Sequence, residues 1–174
     1  MVASGENLRI DPDRLWGSLM EMARVGPGVA GGNNRQTLTD ADNEGRHLFR
    51  RWCEAAGLEM GVDRMGNMFM TRPGTDPDAL PVYIGSHLDT QPTGGKFDGV
   101  LGVLAGLEVA FAGELELDYA YGRTDLEGRR FGDELQRIGW VGEEEVGARK
   151  MHAYFEYHIE QGPILEAEKR QIGV

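Results

Sequence analysis

The chain has 174 residues, 40% of them hydrophobic and 27% charged, enough for one globular domain with a real core. Its 18 basic residues against 29 acidic ones leave a net charge of −11, which argues against nucleic acid and anionic membrane as partners and predicts solubility. A single cysteine, Cys53, excludes an intrachain disulfide and fits a reducing compartment, so the cytoplasm is the expected location. Residues Met1 to Asn7 lack the basic and apolar regions of a signal peptide. No apolar run reaches the roughly 18 residues a membrane span needs.

In chain order, Asp11 to Val25 reads as a helix. Asp11 is placed to cap it, Pro12 suits its first turn, and Leu15, Leu19 and Met22 recur at helical spacing. A Gly- and Asn-rich loop, Gly26 to Asn34, follows. Thr39 or Asp40 then caps a second helix to about Ala56, with Leu48, Phe49 and Trp52 on its apolar face and Gly57 as its stop. Cys53 lies in that helix and reads as a buried structural thiol. Leu58 to Thr71 reads as two strands joined by a turn at Met65-Gly66-Asn67-Met68, and Arg72 to Leu80 as a polar loop.

Pro81 to Ser86 is expected as a strand and Gly99 to about Ala112 as a helix. Gly102 and Gly106, four apart, suit close packing of that helix against a neighbour. Glu114 to Gly147 is strongly charged, with a short amphipathic helix from Phe131 to Ile138. Ala153 to Ile159 reads as a strand on which Tyr154, Glu156 and His158 share one face. Pro163 to Lys169 reads as a helix. Two strand-then-helix units with polar chemistry at the strand ends predict an α/β layer fold, in which ligands bind beyond the carboxyl ends of the strands.

Both His87 and His158 fall at such an end. His87 opens a loop that runs through Asp89 to Asp98 at the expected helix start. Imidazole and an ionised carboxylate suit a divalent transition metal, the helix dipole keeps Asp98 ionised, and Asp89 is placed to accept the second ring N–H of His87. Spacing alone leaves a second reading open, in which the two aspartates cap a loop and His87 is a satisfied core polar group. His47 and His152 read as surface residues. The run Glu143-Glu144-Glu145 sits in a charged connector and reads as a solvated cluster at a helix start. Serine-hydrolase, phosphate-loop and zinc-finger patterns are absent.

Gly85-Ser86-His87-Leu88-Asp89-Thr90, Gly94-Gly95-Lys96-Phe97-Asp98-Gly99 and His158-Ile159-Glu160-Gln161-Gly162-Pro163 together resemble the hydantoinase/carbamoylase amidases, within the superfamily of dinuclear metallo-aminoacylases and peptidases. The resemblance runs along nearly the whole chain. It implies part of a three-layer metallopeptidase-like catalytic domain, a mixed sheet flanked by helices. It implies an enzyme that hydrolyses non-peptide C–N bonds of N-carbamoyl amino acids, ureido acids or allantoate, with two Zn²⁺ or Mn²⁺ ions. By the same resemblance His87 and His158 would be ligands of different ions and Asp98 the bridging carboxylate. Asp89 would orient His87, and Gln161 would lie near a small ureido or carbamoyl substrate.

Two departures from the family pattern stand out. A strand ending in a Glu-Glu pair, which carries the general base and a further ligand, is expected after the helix that begins at Gly99. Here Leu107 to Gly113 runs directly into Glu114 to Tyr119, so the base is absent and about one strand–helix unit is missing. The lid and dimerisation domain, the family's means of forming a homodimer, and the C-terminal catalytic segment with its final His also lie outside these residues. Residues 1–174 therefore correspond to the N-terminal part of the catalytic domain, and little activity is expected of them alone. The competing readings are an aminoacylase or peptidase of the same superfamily, a non-catalytic metal-binding remnant, and a truncated gene product.

Overall fold

The computed structural model describes residues 12–55, 57–73, 76–98, 100, 121, 124–125, 127–156 and 163–170. Helix α1 (Pro12–Met22) starts where Pro12 was expected to start it. Asp11, its expected cap, lies outside the described residues. Met22 is fully buried, and Val25 after the helix is buried with it. The loop beyond contains one short 3₁₀ turn, Val29–Gly31.

Helix α2 (Asp40–Ala55) resolves the choice between its two candidate caps. The Thr39 hydroxyl accepts the Asp42 backbone N–H (3.3 Å), while the Asp42 carboxylate reaches back to the Leu38 N–H (2.9 Å). These are reciprocal caps of the kind that satisfy first-turn donors. Leu38 adopts φ 65°, a conformation that costs a branched residue about 1–2 kcal/mol, but its side chain is buried in the core and its N–H is held by Asp42. At the other end Gly57 takes φ 74°, with Leu58 N–H bonded to Cys53 O and Gly57 N–H to Glu54 O. This pair of bonds is a Schellman stop. The expected apolar face holds, with Leu48 and Cys53 buried and Phe49 and Trp52 half-buried.

Strands β1 (Glu59–Val62) and β2 (Met68–Thr71) form the expected antiparallel hairpin, with Glu59 opposite Thr71 and Val62 opposite Met68. Its turn is organised by Asp63, 1% exposed, whose carboxylate accepts the N–H groups of Met65 and Asn67 and the Asn67 side-chain amide. Strand β3 (Val82–Gly85) pairs in parallel with β4 (Ala153–Glu156), from Val82↔Ala153 to Gly85↔Glu156. Parallel pairing of strands this far apart in sequence is the α/β signature. Among the described residues the strands thus form one antiparallel and one parallel ladder. Phe69 of β2 meets Tyr83 of β3 edge-on, 6.3 Å between ring centroids.

Helix α3 (Phe131–Arg137) presents Leu135, with Ile138 beyond its end, to a core completed by Leu38 and Trp140. Gly139 (φ 76°) closes it with the same stop as α2, the Trp140 N–H bonding Leu135 O. A second cluster joins Met22, Val25 and Leu48 to half-buried Leu88 and Val100. Helix α4 (Ile164–Ala167) is shorter than expected. The expected helix from Gly99 to Ala112, with Gly102 and Gly106, lies outside the described residues except for Val100. Among the described residues no helix is long and apolar enough to cross a membrane.

The acidic run needs correcting. No helix follows Glu143-Glu144-Glu145. Glu144 bridges to Asp63 of the hairpin turn, and its carboxylate makes two 2.6 Å hydrogen bonds to the Arg149 guanidinium. Glu145 pairs with Arg64 at 3.3 Å. Glu144 thus pairs within its own connector and Glu145 with the hairpin turn, and Arg149 in turn lies over the Phe69 ring, 4.4 Å from its centroid.

Candidate active site

The site is built at the carboxyl end of β3. Ser86 is buried, and its hydroxyl donates to the Glu156 carboxylate (3.2 Å), which ties the ends of the two parallel strands together. His87 follows, with Nδ1 2.9 Å from the Asp89 carbonyl oxygen and 3.1 Å from Asp89 Oδ1. Both partners are acceptors, so Nδ1 carries the ring proton and Nε2 is the nitrogen left unprotonated in the neutral imidazole. The hydrogen bond to Asp89 raises the His87 pKa, burial opposes it, and the charges of Asp89 and Asp98 add to the rise. Burial pushes the Asp89 carboxyl up, but hydrogen bonds from His87 and Thr37 outweigh it and leave the group below its ordinary value. The expected orienting role of Asp89 therefore has its geometry.

Asp98 is half-buried at the end of the same loop, with its N–H 3.3 Å from the Gly95 carbonyl. It stands close enough to His87 to act on its charge. His158 and Gln161 lie outside the described residues. Among the described residues no group of three or more His, Cys, Asp or Glu side chains is placed to hold a metal ion. One register fact bears on His158. Each described β3–β4 pair, such as Val82↔Ala153, joins residues 71 positions apart. His87 and His158 are separated by the same 71 positions.

The loop that carries His87 and Asp89 is braced by residues to which the sequence reading assigned no role. Arg35 is fully buried. Its Nε donates to the Leu88 carbonyl (2.9 Å), and one terminal nitrogen donates to the carbonyls of Met22 (3.2 Å) and Val25 (2.8 Å). Its backbone N–H donates to Thr90 Oγ1 (2.8 Å), and its carbonyl accepts the Thr90 N–H (2.8 Å). Asn33, also fully buried, donates its side-chain amide to the carbonyls of Ala23, Val25 and Gly26, while its backbone N–H bonds Gly94 O (2.8 Å). The contact is close: a Cβ on Gly32 would stand 2.5 Å from the Gly94 carbonyl oxygen. Polar residues in a Gly-rich loop look solvated in sequence, and only the partner loop, over 50 residues later, reveals that they are not.

A cavity of about 250 Å³ opens beside His87 and Asp89, room for about eight waters at roughly 30 Å³ each. Leu38, Phe49, Met68 and Phe131 give it an apolar wall, and Arg46 and Asn67 a polar edge. Arg46 is held by Asp42 (2.9 Å) and the Gly66 carbonyl (2.8 Å). Cys53 does not compete as a nucleophile, because burial and the neighbouring Glu54 raise its thiol pKa. His47 is exposed and packs on Trp140, and His152 is exposed before β4, as expected of surface residues.

Comparison with known proteins decides the lineage. The chain is 66% identical to an N-carbamoyl-L-amino-acid amidohydrolase of Rhizobium meliloti, over 100% of this chain and 50% of that one. Its fold superposes with a TM-score of 0.84 on a hydantoinase/carbamoylase family amidase from Burkholderia multivorans, 46% identical, over 92% of this chain and 48% of the other. The chain belongs to the hydantoinase/carbamoylase family of amidases. A third family relative, the N-carbamoyl-L-amino acid amidohydrolase of Geobacillus stearothermophilus, is 32% identical over 95% of this chain and 50% of its own length. No family model matches the chain. The chain spans about half the length of the family members it matches. The alignment to the Rhizobium amidohydrolase is 210 positions long and holds all 174 residues, so 36 of its positions carry no residue of this chain. That shortfall is the size of one strand–helix unit, at ≈ 30 or more residues for a strand–helix–strand crossover.

Proposed function

We propose that this chain carries part of the metal site of an amidohydrolase that removes the carbamoyl group from N-carbamoyl-L-amino acids. The observation that carries the reading is the 66% identity along the full chain to a protein of that activity. The local geometry agrees with it, since Asp89 holds His87 Nδ1 and a metal would take Nε2. This is how outer-shell partners present a histidine to a metal. His87 and Asp98 are the described donors for Zn²⁺ or Mn²⁺, and the donor types suit either ion. His158 is the proposed third; in support, it follows His87 by 71 positions, the same separation as each described β3–β4 pair.

When bound, the metal supplies Lewis-acid polarisation of the ureido carbonyl and activation of water. The chain's own residues fix the tautomer of His87, hold Asp89 ionised beneath it, and offer the adjoining cavity to the substrate; Gln161, outside the described residues, is the proposed substrate contact. The chain has no assigned general base: Glu144 and Glu145 are paired with arginines away from the site. Without a base, proton transfer worth roughly 10²–10⁴-fold is lost, and little turnover is expected of these residues alone.

The test is a chimaera. The positions that this chain lacks, and the remaining length, are supplied from the Rhizobium meliloti relative, while His87, Asp98 and His158 come from this chain. With Zn²⁺ or Mn²⁺ it should hydrolyse N-carbamoyl-L-amino acids in preference to N-acyl amino acids or dipeptides, and His87→Ala should abolish turnover. Preference for a dipeptide, or full activity in His87→Ala, would overturn the reading.

A further inference from the structure

We propose that Arg35 is a positioning residue for the His87–Asp89 arm, locking the tautomer of His87 by fixing the backbone on both sides of Asp89. This rests on the metal-site reading above and adds a role for a residue outside the ligand set. Arg35 bonds the chain on either side of Asp89. Its Nε holds the Leu88 carbonyl at 2.9 Å, and its backbone N–H and carbonyl hold the Thr90 hydroxyl and N–H at 2.8 Å each. Asp89 is thus clamped between two anchored neighbours. His87 needs that clamp, because its ring contact involves both the carbonyl and the carboxylate of Asp89, at 2.9 and 3.1 Å.

The same guanidinium fixes its own origin. The bonds to the Met22 and Val25 carbonyls tie it to the end of α1 at 3.2 and 2.8 Å. The Met22 carbonyl also accepts the Val25 N–H (3.0 Å) and the Val25 carbonyl the Asn33 amide (3.2 Å), so the turn that ends α1 is held from both sides. One cation therefore links the end of a helix to the active loop. Only a planar fork with donors on separate nitrogens can meet all three carbonyls at once, and a lysine ammonium is a single point. The site is also tight: a Cβ on Gly45 of α2 would stand 2.8 Å from Arg35 Cδ. The second terminal nitrogen of Arg35 and Oδ1 of Asp42 are both buried without a hydrogen-bond partner among the described residues. Arg35 is thus held by attraction to Asp42 as well as by bonds. The buried cation is compensated by the three carbonyls and by the charges of Asp42 and Asp89, the second being the residue it positions.

The experiment reads side-chain ¹⁵N spectra of His87 in the metal-free chain, in mildly alkaline buffer, and Zn²⁺ affinity by competition with a chelating dye. Wild type should show the Nδ1–H tautomer. Arg35→Lys should shift it mainly to Nε2–H and weaken Zn²⁺ binding by about 10–100-fold, the usual loss when an outer-shell partner is removed. Leu48→Ala lowers stability in the same buried cluster at a residue that makes no bond to Arg35, and should leave both readouts at wild-type values. If Arg35→Lys does not fold, Thr90→Val, which removes the hydroxyl that accepts the Arg35 N–H, should move both readouts in the same direction. Wild-type tautomer and affinity in Arg35→Lys, or an equal shift in Leu48→Ala, would overturn the proposal. A wild-type chain that binds no Zn²⁺ would instead remove the metal-site reading, and the tautomer comparison would still decide the role of Arg35.

Discussion

Leu135→Ala probes whether the α3 cluster is a packed core. Leu135 is 0% exposed and touches Leu38, Ile138 and Trp140, with Met60, Val62, Met68, Tyr121 and Phe131 around them. The substitution deletes three carbons, worth about 2.4 kcal/mol at roughly 0.8 kcal/mol each. The void adds to this, because its wall includes backbone: a Cβ on Gly66 would lie 2.6 Å from Leu135 Cδ1, and the Gly66 turn is held by Asp63 through its neighbours. A wall of that kind collapses little, so the total expected is about 3.5 kcal/mol, within the usual Leu→Ala range of about 2–5 kcal/mol. At about 2–4 °C per kcal/mol for a chain of this size, Tm should fall by about 10 °C. Urea unfolding followed by the emission of Trp140, 4% exposed in the same cluster, measures it. A loss below about 1 kcal/mol would show that these side chains are not packed as a core.

Four further outcomes are expected. Asp89→Ala should weaken Zn²⁺ binding by about 10–100-fold with the thermal transition intact, read by competition titration. Glu144→Gln should flatten the acid side of the stability–pH curve. The Arg149 guanidinium holds the Glu144 carboxyl below the ordinary value of 4.5; a lowered folded-state value contributes stability above 4.5 that is lost as pH falls through the folded value. Urea midpoints measured from neutral to acid pH should therefore converge for the two proteins below 4.5, and parallel curves would sink the pairing. Gly142→Ala should cost about 3 kcal/mol, since its Cβ would collide with the Val62 carbonyl oxygen. Gly17→Ala, on an exposed face of α1 with nothing within 4 Å, should gain about 0.5–1 kcal/mol.

The elements legible in the sequence are those with local causes. Helices α2 and α3 carry their apolar spacing and their own stops, Gly57 and Gly139, within a few residues. The hairpin turn is marked by Gly66 and Asn67. The His87–Asp89 contact was readable because it spans two positions. What local pattern could not show depends on distant partners. Asn33 and Arg35 sit in a loop whose composition looks solvated, and they are buried only because residues 88–94 close over them. Glu144 looked free in sequence because its bridge to Asp63 of the hairpin turn comes from elsewhere in the fold, although its other partner, Arg149, lies only five residues on. The missing strand–helix unit was visible only against the family pattern, and the alignment shortfall of 36 positions agrees with it.

Zn²⁺ titration of the full chain beside His87→Ala and His158→Ala is the most direct measurement of the central claim. Stoichiometric binding should be lost in both variants, and X-ray absorption of the loaded chain should show nitrogen and oxygen neighbours at about 2.0–2.1 Å. Binding that survives either substitution, or a wild-type chain that takes up no zinc or manganese, would contradict it.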